Sequence, residues 1–253
     1  MPKFFVVSDV HGFYDEFIDA LDKAGFDKNN EEHFLVSLGD NFDRGSQPVE
    51  VMRFLMGLPR KILVKGNHEQ LLVDCCERGY FKSHDISNGT FDTVNKLGDA
   101  EKWYSFDECC TRTLARTGVF IGQMVNYFET KNYIFVHAWI PMNTYDSRPS
   151  YYRTSRSYYS MEDFRNATQK QWDEAMWLCG PDLAMDGHNN TGKTIVFGHW
   201  HCSYLWSVLD GRSDFGEDAK FDPFFGDKFI AIDGCTAHSG KVNVIVIDDE
   251  FIK

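Results

Sequence analysis

No stretch of this chain approaches the ~18 consecutive apolar residues that a membrane-crossing helix requires. The apolar start, Met1 to Val7, stops at Asp9, too short for the core of a secretory signal. Basic charge is scarce: 26 Lys and Arg stand against 38 Asp and Glu, a net −12. That excludes general binding to nucleic-acid backbone, which needs clustered Lys and Arg, and docking on an anionic membrane. Two divalent cations would return positive charge wherever the carboxylates cluster. Cysteine is sparse and odd in number, seven in all, with no C-x-x-C and with Cys75–Cys76 and Cys109–Cys110 adjacent. This pattern predicts reduced, mostly buried thiols in a cytoplasmic protein rather than a disulfide framework. No repeat, low-complexity tract or linker-like stretch interrupts the 253 residues. The expectation is one domain over 1–253, with insertions at about 83–130 and 143–193. A chain of this length buries roughly 70–75% of its unfolded surface, so a sizeable core is available.

What is present begins with alternating periodicities. Phe4–Val7, Phe34–Leu38 and Lys61–Val64 are short apolar runs, read as buried strands. Between them, Phe13, Phe17, Ala20, Leu21 and Ala24 recur at helical spacing before Gly25. Pro48 opens a second helical pattern with Val49, Met52 and Met56, and Leu71, Leu72, Cys75 and Cys76 form a third that ends near Gly79. The β-α-β-α-β order predicts parallel strands with right-handed crossovers. Tyr133–Val136, Thr194–Phe197, Phe229–Ile232 and Val242–Ile247 are further strands, expected to form a second sheet packed on the first. Residues 83–130 read as mixed and partly helical. Residues 143–193 read as a long insertion followed by a helix through Trp172 and Trp177, and 210–228 as a loop.

The metal-capable residues share one address. Asp9 and His11 follow the first strand, Asp40 the second, and Asn67 with His68 the third. His137 ends the fourth, and His199 with His201 the fifth. Open α/β sheets bind ligands outside the carboxyl ends of their strands. An oxygen-and-imidazole set suits Mn, Fe or Zn better than Ca or Mg alone. Singly, Asp-x-His reads as a surface pair, Gly-Asp as a turn and His137 as a satisfied core histidine. Together and in order they read as a site.

The blocks Ser8-Asp9-Val10-His11-Gly12, Gly39-Asp40-Asn41-Phe42-Asp43-Arg44-Gly45 and Gly66-Asn67-His68-Glu69 resemble the signature of calcineurin-like metallophosphoesterases. Within these they are similar to phosphoprotein phosphatases of the small bacterial and phage type. The likeness runs from about residue 3 to 79. It resumes at Val136-His137-Ala138, at Val196-Phe197-Gly198-His199 and at Ile232-Asp233-Gly234. It implies an α/β (α+β) metallophosphoesterase fold, with two packed mixed sheets flanked by helices in four α/β/β/α layers. It implies two divalent ions, Mn first with Fe, Zn or Ni as alternatives. Asp9 and His11 would hold one, Asp40 would bridge, and Asn67, His137 and His199 would complete the other. A metal-bridging hydroxide would attack phosphorus directly. His68 would protonate the leaving alkoxide, Asp43 would orient its imidazole, and Arg44 would hold phosphate oxygens. The implied substrates are phosphoserine and phosphothreonine proteins or small phosphoesters.

The chain departs from the pattern in places. Lys65 stands where an arginine is usual, and a point charge replaces a planar fork. The arginine expected near Trp177-Leu178-Cys179 has four candidates: Arg148, Arg153, Arg156 and Arg165. His201 has two readings, a first-metal ligand or a residue beside the site. The Tyr151–Tyr159 stretch, with Arg153 and Arg156 among four tyrosines, reads either as a substrate-selecting loop or as a solvated one. Trp200 after His199 is shared with dinucleoside tetraphosphate hydrolases. Such a hydrolase of the same fold is the alternative function, and a non-catalytic interaction module is the third.

Overall fold

The computed structural model describes residues 1–99, 104–146 and 156–252. Four strands form the first sheet: β1 (Lys3–Val7), β2 (His33–Ser37), β3 (Lys61–Leu63) and β11 (Val244–Asp248), in the order β11-β1-β2-β3. β1, β2 and β3 run parallel, and β11 lies antiparallel to β1. Their crossovers are α1 (Tyr14–Ala24), capped by Gly25 at φ 80°, and α2 (Pro48–Gly57). α3 (Asn67–Arg78) follows β3 and ends at Gly79. β1–β3 and α1–α3 match the sequence expectation, whereas β11, expected in the second sheet, pairs with β1 in the first.

The second sheet has the order β4-β5-β8-β10-β9. β5 (Tyr133–Val136), β8 (Thr194–Phe197) and β10 (Phe229–Ala231) are parallel. The three-residue edges β4 (Tyr127–Glu129) and β9 (Phe224–Gly226) are antiparallel to their neighbours. Neither edge was expected. A separate hairpin, β6 (Met142–Asp146) with β7 (Arg156–Ser160), stands where an irregular insertion was expected.

Strand alternation builds the layers. Phe4 and Val6 of β1 point to Val36, Phe135, Val196 and Ile230, the core between the sheets. Phe5 and Val7 point the other way, to Phe17, Leu21 and Leu55 of the helices. In the second sheet Phe135 and Val196 face inward. Ile134, Val136, Ile195 and Phe197 meet Trp172, Leu183 and Leu205 of the outer helices. Every central strand is thus covered on both faces, which is why each reads as a continuous apolar run. The result is the expected α/β/β/α stack. α4 (Ser83–Ser87), α5 (Thr90–Leu97) and α6 (Phe106–Ile121) extend one outer layer. α7 (Gln169–Ala175), α8 (Gly180–Met185) and α9 (Cys202–Asp210) form the other, and the short α10 (Thr236–Ser239) precedes β11. α7 ends at Ala175, so Trp177, expected within that helix, lies outside it. All seven cysteines are free, five of them buried. No helix of the described residues is long and apolar enough to cross a membrane.

Candidate active site

The strand ladders continue past the strand ends, and this brings the loops together. The amides of Asp9, His11 and Gly12 donate to the carbonyls of Gly39, Asp40 and Asn41 at 3.1, 2.9 and 2.8 Å. In the second sheet, the Gly198 amide reaches the His137 carbonyl at 2.7 Å. Two glycines make the approach possible. A Cβ on Gly39 would strike the backbone of Gly66, and one on Gly198 would strike Ser8 and Asp9. The turns are tight enough to force φ positive at Asp9 (53°), His11 (50°), Asp40 (56°), Arg44 (76°) and His199 (65°). Non-glycine residues avoid this region unless the surroundings over-determine it, and such strain concentrates at functional sites.

Glu69 anchors the arrangement. Its Oε2 accepts the amides of Asp40 (3.0 Å) and Gly66 (2.9 Å), and its Oε1 accepts the amide and side-chain nitrogen of Asn41 (2.9 and 3.1 Å). One buried carboxylate from the start of α3 therefore pins the loops after β2 and β3.

Two groups of ligand atoms converge, each within 4.8 Å: His11, Asp40 and His68, and Asp40, His137 and His199. Asp40 belongs to both and divides its oxygens between them. Oδ2 faces Nε2 of His11 (3.9 Å) and of His68 (3.8 Å), while Oδ1 faces Nε2 of His137 (3.5 Å). Asp9 joins the first group, its Oδ1 4.0 Å from His11 Nε2. Asn67 joins the second, its Oδ1 2.8 Å from His137 Nε2.

The donor chemistry fits a cation. His137 Nδ1 faces the Leu38 carbonyl at 2.7 Å, which orients the ring and turns Nε2 toward the site. There Nε2 meets Asn67 Oδ1, His199 Nδ1 (3.2 Å) and Asp40 Oδ1. A buried cluster of such oxygen and imidazole atoms is a set that a metal ion would hold together. Burial also pushes Asp40 up to about 7, against the pull of His68. Burial likewise raises Asp9 and Asp233. Burial, with Arg44 beside His11 and His137 beside His199, holds those two imidazoles well below their usual range, which favours their neutral form.

Next to this edge lies a histidine–carboxylate pair. His68 Nδ1 is 2.7 Å from Asp43 Oδ2. Burial works against charge on His68, but Asp40 and Asp43 outweigh it and raise its pKa to about 9. Arg44 extends Nη1 to His11 Nε2 (3.1 Å) and Nη2 to His68 Nε2 (3.3 Å).

Other expected residues lie elsewhere. His201 is in neither group: its Nε2 contacts both oxygens of Asp214, at 3.0 and 3.2 Å. Lys65 binds Gln70 and lines a small cavity with His137, Trp139 and Trp172. Arg165 is taken by Glu129 and Asp163 (both 2.9 Å), which removes it as a phosphate-binding candidate. Arg156 lies in β7, while Arg148 and Arg153 fall outside the described residues.

Sequence reasoning missed three residues. Glu69 was only the end of a motif. Asp233 follows β10 at the same strand-end address, buried, and accepts the Cys235 amide at 2.7 Å. Trp177 is 51% exposed with its ring set edgewise to His199, centroids 6.3 Å apart.

Serine/threonine-protein phosphatase 2 of Salmonella typhimurium is 31% identical over 146 residues, 56% of this chain and 60% of that protein. The asymmetrical bis(5'-nucleosyl)-tetraphosphatase PrpE of Bacillus velezensis is 40% identical over 72 residues, 25% of this chain and 29% of that protein. The chain thus spans less than two thirds of either relative. A protein serine/threonine phosphatase from Saccharomyces cerevisiae shares the fold, with a TM-score of 0.53 at 15% identity over 100% of this chain and 81% of that one. The family described as calcineurin-like phosphoesterase matches residues 2–203, from the first strand through both acid–histidine groups, and this chain belongs to it.

Proposed function

We propose that this chain is a two-metal phosphomonoesterase acting on protein phosphoserine and phosphothreonine. The observation that carries the reading is the division of Asp40, one oxygen toward His11 and His68 and the other toward His137. Asp9, His11 and Asp40 would hold one ion, and Asp40, Asn67, His137 and His199 the other, with manganese the first choice. Such a pair, when bound, acidifies water and neutralises charge on phosphoryl oxygens.

The chain's own residues supply the rest. Arg44, already extended over the two imidazoles, offers a planar pair of donors to phosphate oxygens. His68 keeps its Nδ1 proton on Asp43 and directs Nε2 into the site, where a proton there can pass to the leaving alkoxide oxygen. The loops after β1, β2, β5 and β8, cross-bonded to one another, hold these groups before substrate arrives.

A second reading, hydrolysis of dinucleoside tetraphosphates, is favoured by one observation. Exposed Trp177, with Trp200 also next to His199, offers an aromatic surface to a base beside the phosphate site.

The deciding experiment strips the protein with EDTA, restores Mn, and compares a phosphoserine peptide, an aryl phosphate and a dinucleoside tetraphosphate. Mn-dependent turnover of the first two supports the proposal. Turnover of the tetraphosphate alone transfers the reading to the second. Turnover of none of the three defeats both.

A further inference from the structure

Helix α5 lies in the segment where the sequence resemblance is weakest, and it touches the proton-donor pair directly. Thr90, Thr93 and Lys96 stand three residues apart, on one face of the helix. All three reach the loop that carries Asp43 and Arg44. Thr90 Oγ1 donates to Asp43 Oδ2 at 2.6 Å, Thr93 Oγ1 reaches the Phe42 carbonyl at 3.4 Å, and Lys96 Nζ the Gly45 carbonyl at 3.0 Å. The helix starts hard against that loop. Gly89 has φ 82°, and a Cβ on it would lie 2.8 Å from Arg44 Cα.

The Thr90 bond falls on a telling atom. Asp43 Oδ2 is the oxygen that accepts His68 Nδ1, and both Asp43 and Thr90 are buried. Asp43 Oδ1 is buried with no hydrogen-bond partner among the described residues. All the hydrogen bonding of this carboxylate therefore runs through one oxygen, shared by His68 and Thr90. Without the hydroxyl, His68 alone would define the carboxylate's rotation, and a buried carboxylate with one partner is poorly held.

We propose that Thr90 is a positioning residue for the His68 proton donor, acting through Asp43, and that α5 is built into this chain to present it. The inference deepens the phosphomonoesterase reading and rests on it for its kinetic consequence. Its geometric consequence is independent of turnover.

The test uses the full chain with Thr90→Val, a near-isosteric change, and Thr90→Ser as the rescue. Thr90→Ala is the second variant in case valine disturbs the fold. In 15N-labelled protein, exchange of the His68 Nδ1 proton is expected to quicken about tenfold in the valine or alanine variant and to return in the serine variant. In turnover, kcat for phosphoserine peptide is expected to fall about tenfold. KM and metal affinity should hold, and an aryl phosphate, whose leaving group needs little protonation, should change less than about twofold. An unchanged Nδ1 proton overturns the inference, as does a serine variant no better than valine, or equal losses on both substrates. If wild-type protein hydrolyses no phosphoester, the function proposal falls and the exchange measurement still decides the role of Thr90. If His68→Asn discriminates between the two substrates and Thr90→Val does not, the inference alone falls.

Discussion

The backbone amide of His199 donates to the carboxylate of Asp9 at 2.9 Å, across 190 residues of sequence. This bond joins the end of β1 in one sheet to the end of β8 in the other. It depends on Gly198, where a Cβ would run into Ser8 and the Asp9 carboxylate. Gly198→Ala should therefore separate the two halves of the site. Overpacking of this kind costs about 1–3 kcal/mol. The expected result is a lowered melting temperature together with weakened Mn binding, read by calorimetric titration. Wild-type values for both would show that the loops yield without consequence.

Asp40 is the residue that both ligand groups share. Asp40→Ala should weaken metal binding at both positions by more than about 100-fold, beyond what loss of a supporting residue usually does. His137→Ala should weaken one position and spare the other, because His137 belongs to one group only. Metal content after dialysis against limiting Mn distinguishes the two variants. Two retained ions in Asp40→Ala would refute the sharing.

His201 tests a different point. One of its two sequence readings made it a first-metal ligand, but its ring rests on Asp214, which also accepts Ser203 Oγ at 2.9 Å. His201→Ala is expected to keep two-metal stoichiometry, and Asp214→Ala should behave alike. Their common effect should be faster proteolysis within 211–223, the loop that Asp214 anchors. A stoichiometry of one in His201→Ala would make it a ligand after all.

Legibility followed the physics of each part. β1, β2, β5, β8 and β10 are covered on both faces, so their sequences are largely apolar, and the residues after them stand out as polar; the edge strand β3 is legible because Ile62, Leu63 and Val64 follow one another. β4 and β9 have three residues each and border one neighbour, too little for any periodicity to show. The β6–β7 hairpin pairs only with itself and carries polar and aromatic residues on both strands. At the site, Asp9, His11, Asp40, Asn67, His68, His137 and His199 were readable because backbone order alone brings them to one edge. Contacts made by side chains from distant loops were not. Asp214 meets His201 from a Gly/Asp/Phe stretch, and Thr90 meets Asp43 from 47 residues away. Glu69 sat within a motif, yet its four hydrogen bonds exist only after the loops that follow β2 and β3 have come together.

The buried charges also predict how the metal-free protein responds to pH. His68 is raised to about 9 in the fold, from an unfolded value near 6.5. Its contribution to stability is complete below about pH 6.5 and is lost as pH climbs toward about 9. Asp40, raised to about 7, has the same sign: the fold holds a proton the unfolded chain has already released, and stability falls until that proton leaves. His11 and His199 are lowered, so their opposite contribution is confined below about pH 6.5. The seven thiols, all raised by burial, are about half ionised in the unfolded chain at about pH 8.5 and so add to the fall only near that value. Between these limits the downward terms act without opposition from the lowered histidines. EDTA-treated protein should lose about 2 kcal/mol from pH 6.5 to 8.5, a drop of roughly 4–8 °C in melting temperature for a chain of this size. Saturating Mn should raise the melting temperature throughout and flatten the slope, because a bound cation satisfies ionised Asp40 and removes the negative charge that keeps His68 protonated. Differential scanning calorimetry at four pH values, with and without Mn, measures both. A melting temperature that stays level or rises across this window without metal would show that the carboxylates are already compensated by something other than a cation.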